Sequence, residues 1–232
     1  MLELRSRPGV DRLLRHVDRV LRNRYGTPRL GNKAHPVSEL VFIILSARTR
    51  GREHESAYRR LRQALPTWEM VRDAPVGRVE RAIKDAGLGR IKARQIQGML
   101  RRLSSDFGSL SGSHLRRLES DELESYLTSL PGVGVKTARC VMMYSLKRRV
   151  FPVDTHCMRL FQNLGILASR LRFEYAQTAL QSVVAPEIRQ TLHVNAVAHG
   201  RETCIPGAER CDDCVVADVC LNRRIAAPSK VR

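Results

Sequence analysis

An amine and a carboxylate eighteen residues apart, Lys136 and Asp154, each stand where the sequence predicts a helix to begin. Lys136 follows the glycine-rich stretch Leu130-Pro131-Gly132-Val133-Gly134-Val135, and Asp154 belongs to Val153-Asp154-Thr155-His156. In the first turn of a helix the positive end of the dipole disfavours an ammonium and lowers the amine's pKa, which helps to make a nucleophile. At an N-cap the same field keeps a carboxylate ionised. Such a pair suits cleavage of an N-glycosidic bond: the carboxylate stabilises an oxocarbenium-like C1′, and an amine attacking that carbon leaves a Schiff base that can eliminate the 3′ phosphate. Either residue alone reads as structural, Lys136 as a solvated phosphate contact and Asp154 as a plain cap.

The elements around Lys136 explain why it matters. Apolar spacing predicts helices over 122–130 and 136–147, with Pro131 and Gly132 breaking the first and Gly134 permitting positive φ. The hairpin over 131–135 can turn the backbone N–H groups of Gly132, Val133, Gly134 and Val135 outward at a helix start, where they and the dipole hold an anion such as a DNA phosphate. A contact of that kind sets register and reads no sequence. The bland alternative is a tight corner between two helices.

A second constellation is Cys204, Cys211, Cys214 and Cys220, a C-x6-C-x2-C-x5-C run within seventeen residues. Four thiolates so close suit one metal centre. Structural zinc sites more often use two separated Cys-x-x-Cys pairs, and only Cys211 and Cys214 form one here. Four thiolates equally satisfy a [4Fe–4S] cube, so spacing leaves cluster and zinc open, with disulfides a lesser alternative. Cys140 and Cys157 fall within apolar helical patterns and read as packing residues. His156 reads as part of the capped turn, and His199 as a core residue or a hydrogen-bond donor near the cysteines.

The LPGVGVKTA and VDTH stretches resemble, in order and spacing, those of endonuclease III type DNA glycosylases of the helix-hairpin-helix superfamily, and the resemblance runs from about Pro36 to Cys220. It implies that Lys136 is the nucleophile and Asp154 its partner. It also implies that the four cysteines, whose spacing is the family's signature, hold [4Fe–4S]. The implied fold is all-α with two domains: a six-helix domain over 36–147 carrying the hairpin, and a discontinuous iron–sulfur domain over 1–35 and 148–232, with a DNA cleft between them. The implied activity is base excision from duplex DNA with abasic-site lyase cleavage, by a monomer, on a damaged and in particular an oxidised pyrimidine. Leu88, in Ala86-Gly87-Leu88-Gly89-Arg90, resembles the wedge that fills the space of a flipped nucleotide, and Lys92 and Arg94 would contact phosphate.

Three departures bear on the substrate. Arg48, in Leu45-Ser46-Ala47-Arg48-Thr49-Arg50, stands where the family has glutamine; with five donors and no acceptor it can bind guanine or phosphate but cannot copy an amide. The charged lead-in over 114–126 and the Phe151-Pro152 pair resemble a branch related to plant 5-methylcytosine glycosylases. The loop between Cys204 and Cys211 keeps only Arg210 as a basic contact. A mismatch glycosylase acting on thymine or uracil opposite guanine, or a modified-cytosine glycosylase, is therefore the alternative activity. A non-catalytic DNA-binding iron–sulfur protein is the alternative of another class.

Composition agrees with a polyanion partner. A formal charge of +18 and a pI near 10.7 attract nucleic acid, and only 5% aromatic residues leave few stacking platforms for single strands, so duplex DNA is expected. The chain's 232 residues, 43% of them hydrophobic, can build one large core or two small ones. No charged-then-apolar leader is read at Leu2-Glu3-Leu4-Arg5, which predicts a reducing, cytoplasmic setting, and the longest apolar run, 40–45, is too short to cross a bilayer. Periodicity predicts further helices over 10–25, 38–47, 53–64, 69–73, 79–86, 92–107 and 155–164, a loop at 108–112, and no strand.

Overall fold

The computed structural model describes residues 9–49 and 51–226, with side chains up to 223; Leu2-Glu3-Leu4-Arg5 and Arg50 lie outside the described residues. Among the described residues the chain is helical, with no β-strand. It divides into two compact units, Gly31–Arg148 and Met1–Leu30 with Arg149–Arg232.

The Gly31–Arg148 unit holds α2 (Pro36–Ser46), α3 (Glu53–Ala64), α4 (Trp68–Asp73), α5 (Val76–Ala82), α6 (Gly89–Phe107), α7 (Ser120–Thr128) and α8 (Val135–Tyr144). Helix α2 is its core: Leu40 to Leu45 are all buried, and it packs against α3 and α8. A nearly continuous apolar run suits a helix surrounded on all sides. Helix α6 turns a stripe of Ile96, Met99, Leu100 and Leu103 inward. Its buried Gln97 donates to the Val71 and Ala74 carbonyls at 2.9 and 2.7 Å, satisfying the end of α4. The unit begins at Gly31, ahead of the expected 36, because the intervening segment is tied to it. Glu39 accepts from the Lys33 amide and the Asn32 side chain, and the Ser145 hydroxyl donates to the Lys33 carbonyl at 2.6 Å.

The other unit holds α1 (Val10–Tyr25), α9 (Thr155–Asn163), α10 (Phe173–Val183), α11 (Arg189–Glu202) and α12 (Leu221–Ala226). Leu14, Val17 and Leu21 of α1 are fully buried with Phe151, Val153, Phe161 and Leu192, each such side chain contributing roughly 1.5–3 kcal/mol. Helices α10, α11 and α12 are not in the sequence expectation. In α11 every residue from Leu192 to Gly200 is buried, polar His193, Asn195 and His199 included, so no apolar stripe marks it.

Candidate active site

The hairpin is fixed by backbone geometry and close packing. A Val133 N–H to Leu130 carbonyl bond of 3.1 Å closes the turn, and Val133 is buried beneath it. Positive φ falls on Gly132, at +77°, and not on Gly134, which is extended at −95°; the expectation for Gly134 is corrected. Gly132 has a second constraint: a Cβ there would lie 2.8 Å from Gln95 Cβ on α6. Beside it Pro131 rests on Gly98, whose own Cβ would come within 3.3 Å of the proline ring. Arg139, buried in α8, makes a bidentate pair with Glu124 of α7 at 2.8 and 3.0 Å, holding the two helices together. The α8 N-terminus carries no side-chain cap, and Lys136 is the helix's second residue, half-buried. Its charge reaches the buried Glu39, whose pKa is raised by burial against the pull of the Lys33 amide, Asn32 and Lys136.

Asp154 is the N-cap of α9, as its position predicted: Oδ1 accepts from the His156 and Cys157 amides at 3.0 and 2.9 Å. The extended segment before it is pinned at successive backbone groups. Gln181 accepts from the Phe151 amide at 2.7 Å, Gln177 both accepts from Val153 N–H and donates to its carbonyl, at 3.0 and 2.8 Å, and His193 Nδ1 lies 2.9 Å from the Pro152 carbonyl. The aspartate is thereby placed by the backbone on both sides. His156 is half-buried and packed against α11; burial lowers its pKa, and Gly200 approaches so closely that a Cβ there would lie 2.5 Å from its ring.

Two further turns carry the expected gap-filling residues. Arg48 is exposed, with φ +53°, just after α2. Leu88, at φ +51°, is 48% exposed at the start of α6. A bulky apolar side chain held left-handed and presented to solvent is an unusual pairing of strain and exposure. Lys92 is a correction: expected to grip phosphate, it is 2% exposed and donates to the Leu45 carbonyl, Thr49 Oγ1 and the Ala86 carbonyl at 2.8, 2.8 and 2.5 Å. Position 92 falls on the inner stripe of α6, so the ammonium points into the unit.

Cys204, Cys211, Cys214 and Cys220 line one cavity of about 330 Å³, together with Asn163, His199 and the exposed Arg210. Among the described residues no three of His, Cys, Asp or Glu are drawn close enough to hold a single metal ion. The donor set nonetheless fits a polynuclear group. Four thiols face one space far larger than an ion, and burial, with the negative charge of the other three thiols, pushes Cys214 above the ordinary thiol range. A cationic core relieves that repulsion. Asn163 Nδ2 donates to Cys204 Sγ at 3.5 Å. His199 lies 3.8 Å from Cys214 Sγ through Nε2 and 3.0 Å from the Tyr25 hydroxyl through Nδ1, so it is both a core residue and a neighbour of the cysteines; burial lowers its pKa to about 4. Cys140 and Cys157 are buried packing residues.

The chain as a whole has relatives among known proteins. A profile of the HhH-GPD superfamily base excision DNA repair proteins matches residues 41–186, more than half of the chain. The chain belongs to that superfamily. Among its relatives, a protein named endonuclease III from Sulfolobus acidocaldarius is 28% identical over 192 residues, 82% of this chain and 83% of that protein. An Arabidopsis thaliana protein named as a DNA glycosylase is 32% identical over 162 residues, 70% of this chain; the chain spans about half the length of that relative, covering 55% of it. A solved endonuclease III–DNA complex superposes with a TM-score of 0.81 over 93% of this chain and 97% of that one, at 22% identity, which shows a shared fold.

The HhH-GPD fold carries features that sequence patterning passes over. Ile91, three residues beyond Leu88 on α6, is 55% exposed. It stands out of register with the buried stripe of Ile96, Met99 and Leu103, and that mismatch is the signal for it. Gln95, under the hairpin glycine, left no signal, because its role is the space it denies a Cβ.

Proposed function

We propose that this chain is a bifunctional DNA glycosylase and abasic-site lyase acting, as a monomer, on a damaged pyrimidine in duplex DNA. The observation that supports it most is Lys136 in the first turn of an uncapped helix, directly after a tight, closed hairpin. The Val133 N–H is taken by the turn, so the anchoring of the strand's backbone falls to the other hairpin amides, with the chain's net charge of +18 attracting the duplex. The Lys136 amine attacks C1′ as the C1′–base bond breaks, the base leaving with the electron pair, while the Asp154 carboxylate stabilises positive charge at the sugar. The C1′–O4′ bond then opens, the ring oxygen taking a proton as the nitrogen gives one up, to leave the Schiff base; this loses a C2′ proton, the C3′–O bond breaks with the phosphate leaving, and water hydrolyses the imine to return the amine. Cys204, Cys211, Cys214 and Cys220 would hold a [4Fe–4S] cube, which supplies a covalent cross-link for the segment they span and leaves no open coordination position for substrate.

Borohydride trapping on duplexes carrying one oxidised pyrimidine tests this reading. A covalent adduct formed by the wild-type chain and absent from Lys136→Ala upholds it; base release or nicking undiminished in Lys136→Ala overturns it. Release of thymine or uracil opposite guanine, without an adduct, would transfer the site to a mismatch glycosylase, the reading that the exposed Arg48 favours as a reader of the orphan guanine.

A further inference from the structure

Lys92 is a positive charge that DNA cannot reach. Its three N–H groups are all taken by neutral oxygens, Leu45 O, Thr49 Oγ1 and Ala86 O. Leu45 and Thr49 flank Arg48, and Ala86 stands two residues before Leu88, so one ammonium joins the two turns that carry the exposed prongs. Thr49 completes the knot, its hydroxyl lying 2.5 Å from both the Leu45 and the Ala86 carbonyl. Gly87 brings the turns together at the backbone: a Cβ there would lie 3.7 Å from the Arg48 carbonyl.

Two costs are concentrated here. Arg48 and Leu88 are two of the four non-glycine residues with positive φ among the described residues, a conformation that strains any side chain bearing a Cβ. The ammonium is buried without a carboxylate, and that burial alone lowers its pKa to about 8. Strained backbone persists where its surroundings over-determine it, and three hydrogen bonds from a buried cation to turn oxygens do so.

We propose that Lys92 is a positioning residue that locks the Arg48 and Leu88 turns into one register, so that the two side chains enter a duplex together as a single two-pronged wedge. This rests on the glycosylase reading above. The lock removes the cost of ordering two independent loops at the moment a nucleotide leaves the stack. It acts before chemistry: a sugar that has already lost its base, in a duplex with a gap to fill, depends on it little.

The test uses Lys92→Met, which keeps the stem and removes the donors, and Thr49→Val, which leaves the ammonium in place should the first variant fail to fold. Three quantities are read: single-turnover base release, nicking of a preformed abasic site, and the fluorescence of 2-aminopurine beside the lesion on binding. Base release should fall by roughly 10–100-fold, as expected for a modest misplacement of positioning groups, with nicking of the abasic site changed by less than about threefold and the fluorescence rise lost. In a chain carrying Arg48→Ala and Leu88→Ala, Lys92→Met should add no further loss of base release. Equal losses on both substrates, or an additive loss in the prong-less chain, would mean general destabilisation and overturn the proposal. The fluorescence arm needs no turnover. An inactive wild-type chain whose signal depends on Lys92 would overturn the activity and uphold the lock, while a signal indifferent to Lys92 overturns the lock whatever the activity.

Discussion

The hairpin and the cysteine segment are built on opposite principles. The hairpin is assembled by the polypeptide alone: a closed turn, a glycine fitted against Gln95, a proline on Gly98, and a bidentate Arg139–Glu124 pair. Over Cys204–Cys220 there is no helix; the backbone is held by isolated hydrogen bonds, such as Arg210 N–H to the Thr203 carbonyl at 3.0 Å, around the four thiols. The first can present its amides to phosphate before anything binds. The second supplies four thiol donors and few regular backbone bonds, so its stability would come from the proposed cluster.

The sharpest way to break that contrast is to remove one thiol. If the four cysteines hold the proposed cluster, in Cys214→Ser the unit carrying α1 and α9–α11 should lose more than about 4 kcal/mol, the scale of a lost metal centre, together with the cluster's visible absorbance, while hydrogen exchange of the α7–α8 amides stays protected. Denaturant unfolding and exchange of the purified variant measure both. A variant as stable as the wild type, or one whose hairpin melts with the loop, would show the two regions are not built differently.

Within the hairpin the two glycines should separate. Gly132→Ala meets both a left-handed φ and Gln95, and should cost roughly 2–3 kcal/mol. Gly134→Ala has an extended φ and open space, and should cost about 0.5 kcal/mol or less. Thermal denaturation of the pair decides it, and equal losses would mean that the hairpin is not set by this packing.

That inversion also marks how far the sequence could be read. The helix pair, the lysine at its start and the aspartate cap are legible because each depends on local chemistry: periodicity, breakers and capping preference. Which glycine must be left-handed depends on α6, some forty residues away, and is not written in the hairpin. Lys92 fails for a related reason: a lysine after a turn reads as exposed, and only the α6 stripe turns it inward. Helix α11 was missed because complete burial erases the periodicity that reveals helices.

Asp154 joins the legible set, and its observed cap and its proposed catalytic role can be taken apart. Asparagine caps helices about as well as aspartate, so Asp154→Asn should leave the melting temperature nearly unchanged while slowing base release. Alanine loses both amide bonds from Oδ1 and should cost about 1 kcal/mol in addition. If Asp154→Asn releases base at the wild-type rate, the carboxylate is a cap alone.

The smallest expected effect concerns the charge enclosed between the two prong-bearing turns. Because Lys92 has its pKa lowered from 10.5 to about 8 by burial, the unfolded chain binds the proton more tightly than the folded one. The penalty for burying the ammonium is full below about pH 8, and it is relieved as pH rises from there toward 10.5. Between about pH 7.5 and about pH 8.5 the wild type should therefore gain less than about 1 kcal/mol relative to Lys92→Met, a reference in which the other titrating groups cancel. Losing the proton also removes one donor from three oxygens, so the lock should loosen over the same interval. Stability of the chain and extrusion of the base then move in opposite directions with pH, measured by denaturant midpoints and 2-aminopurine fluorescence. A lysine that merely filled the core would move both together, and parallel curves would return Lys92 to that role.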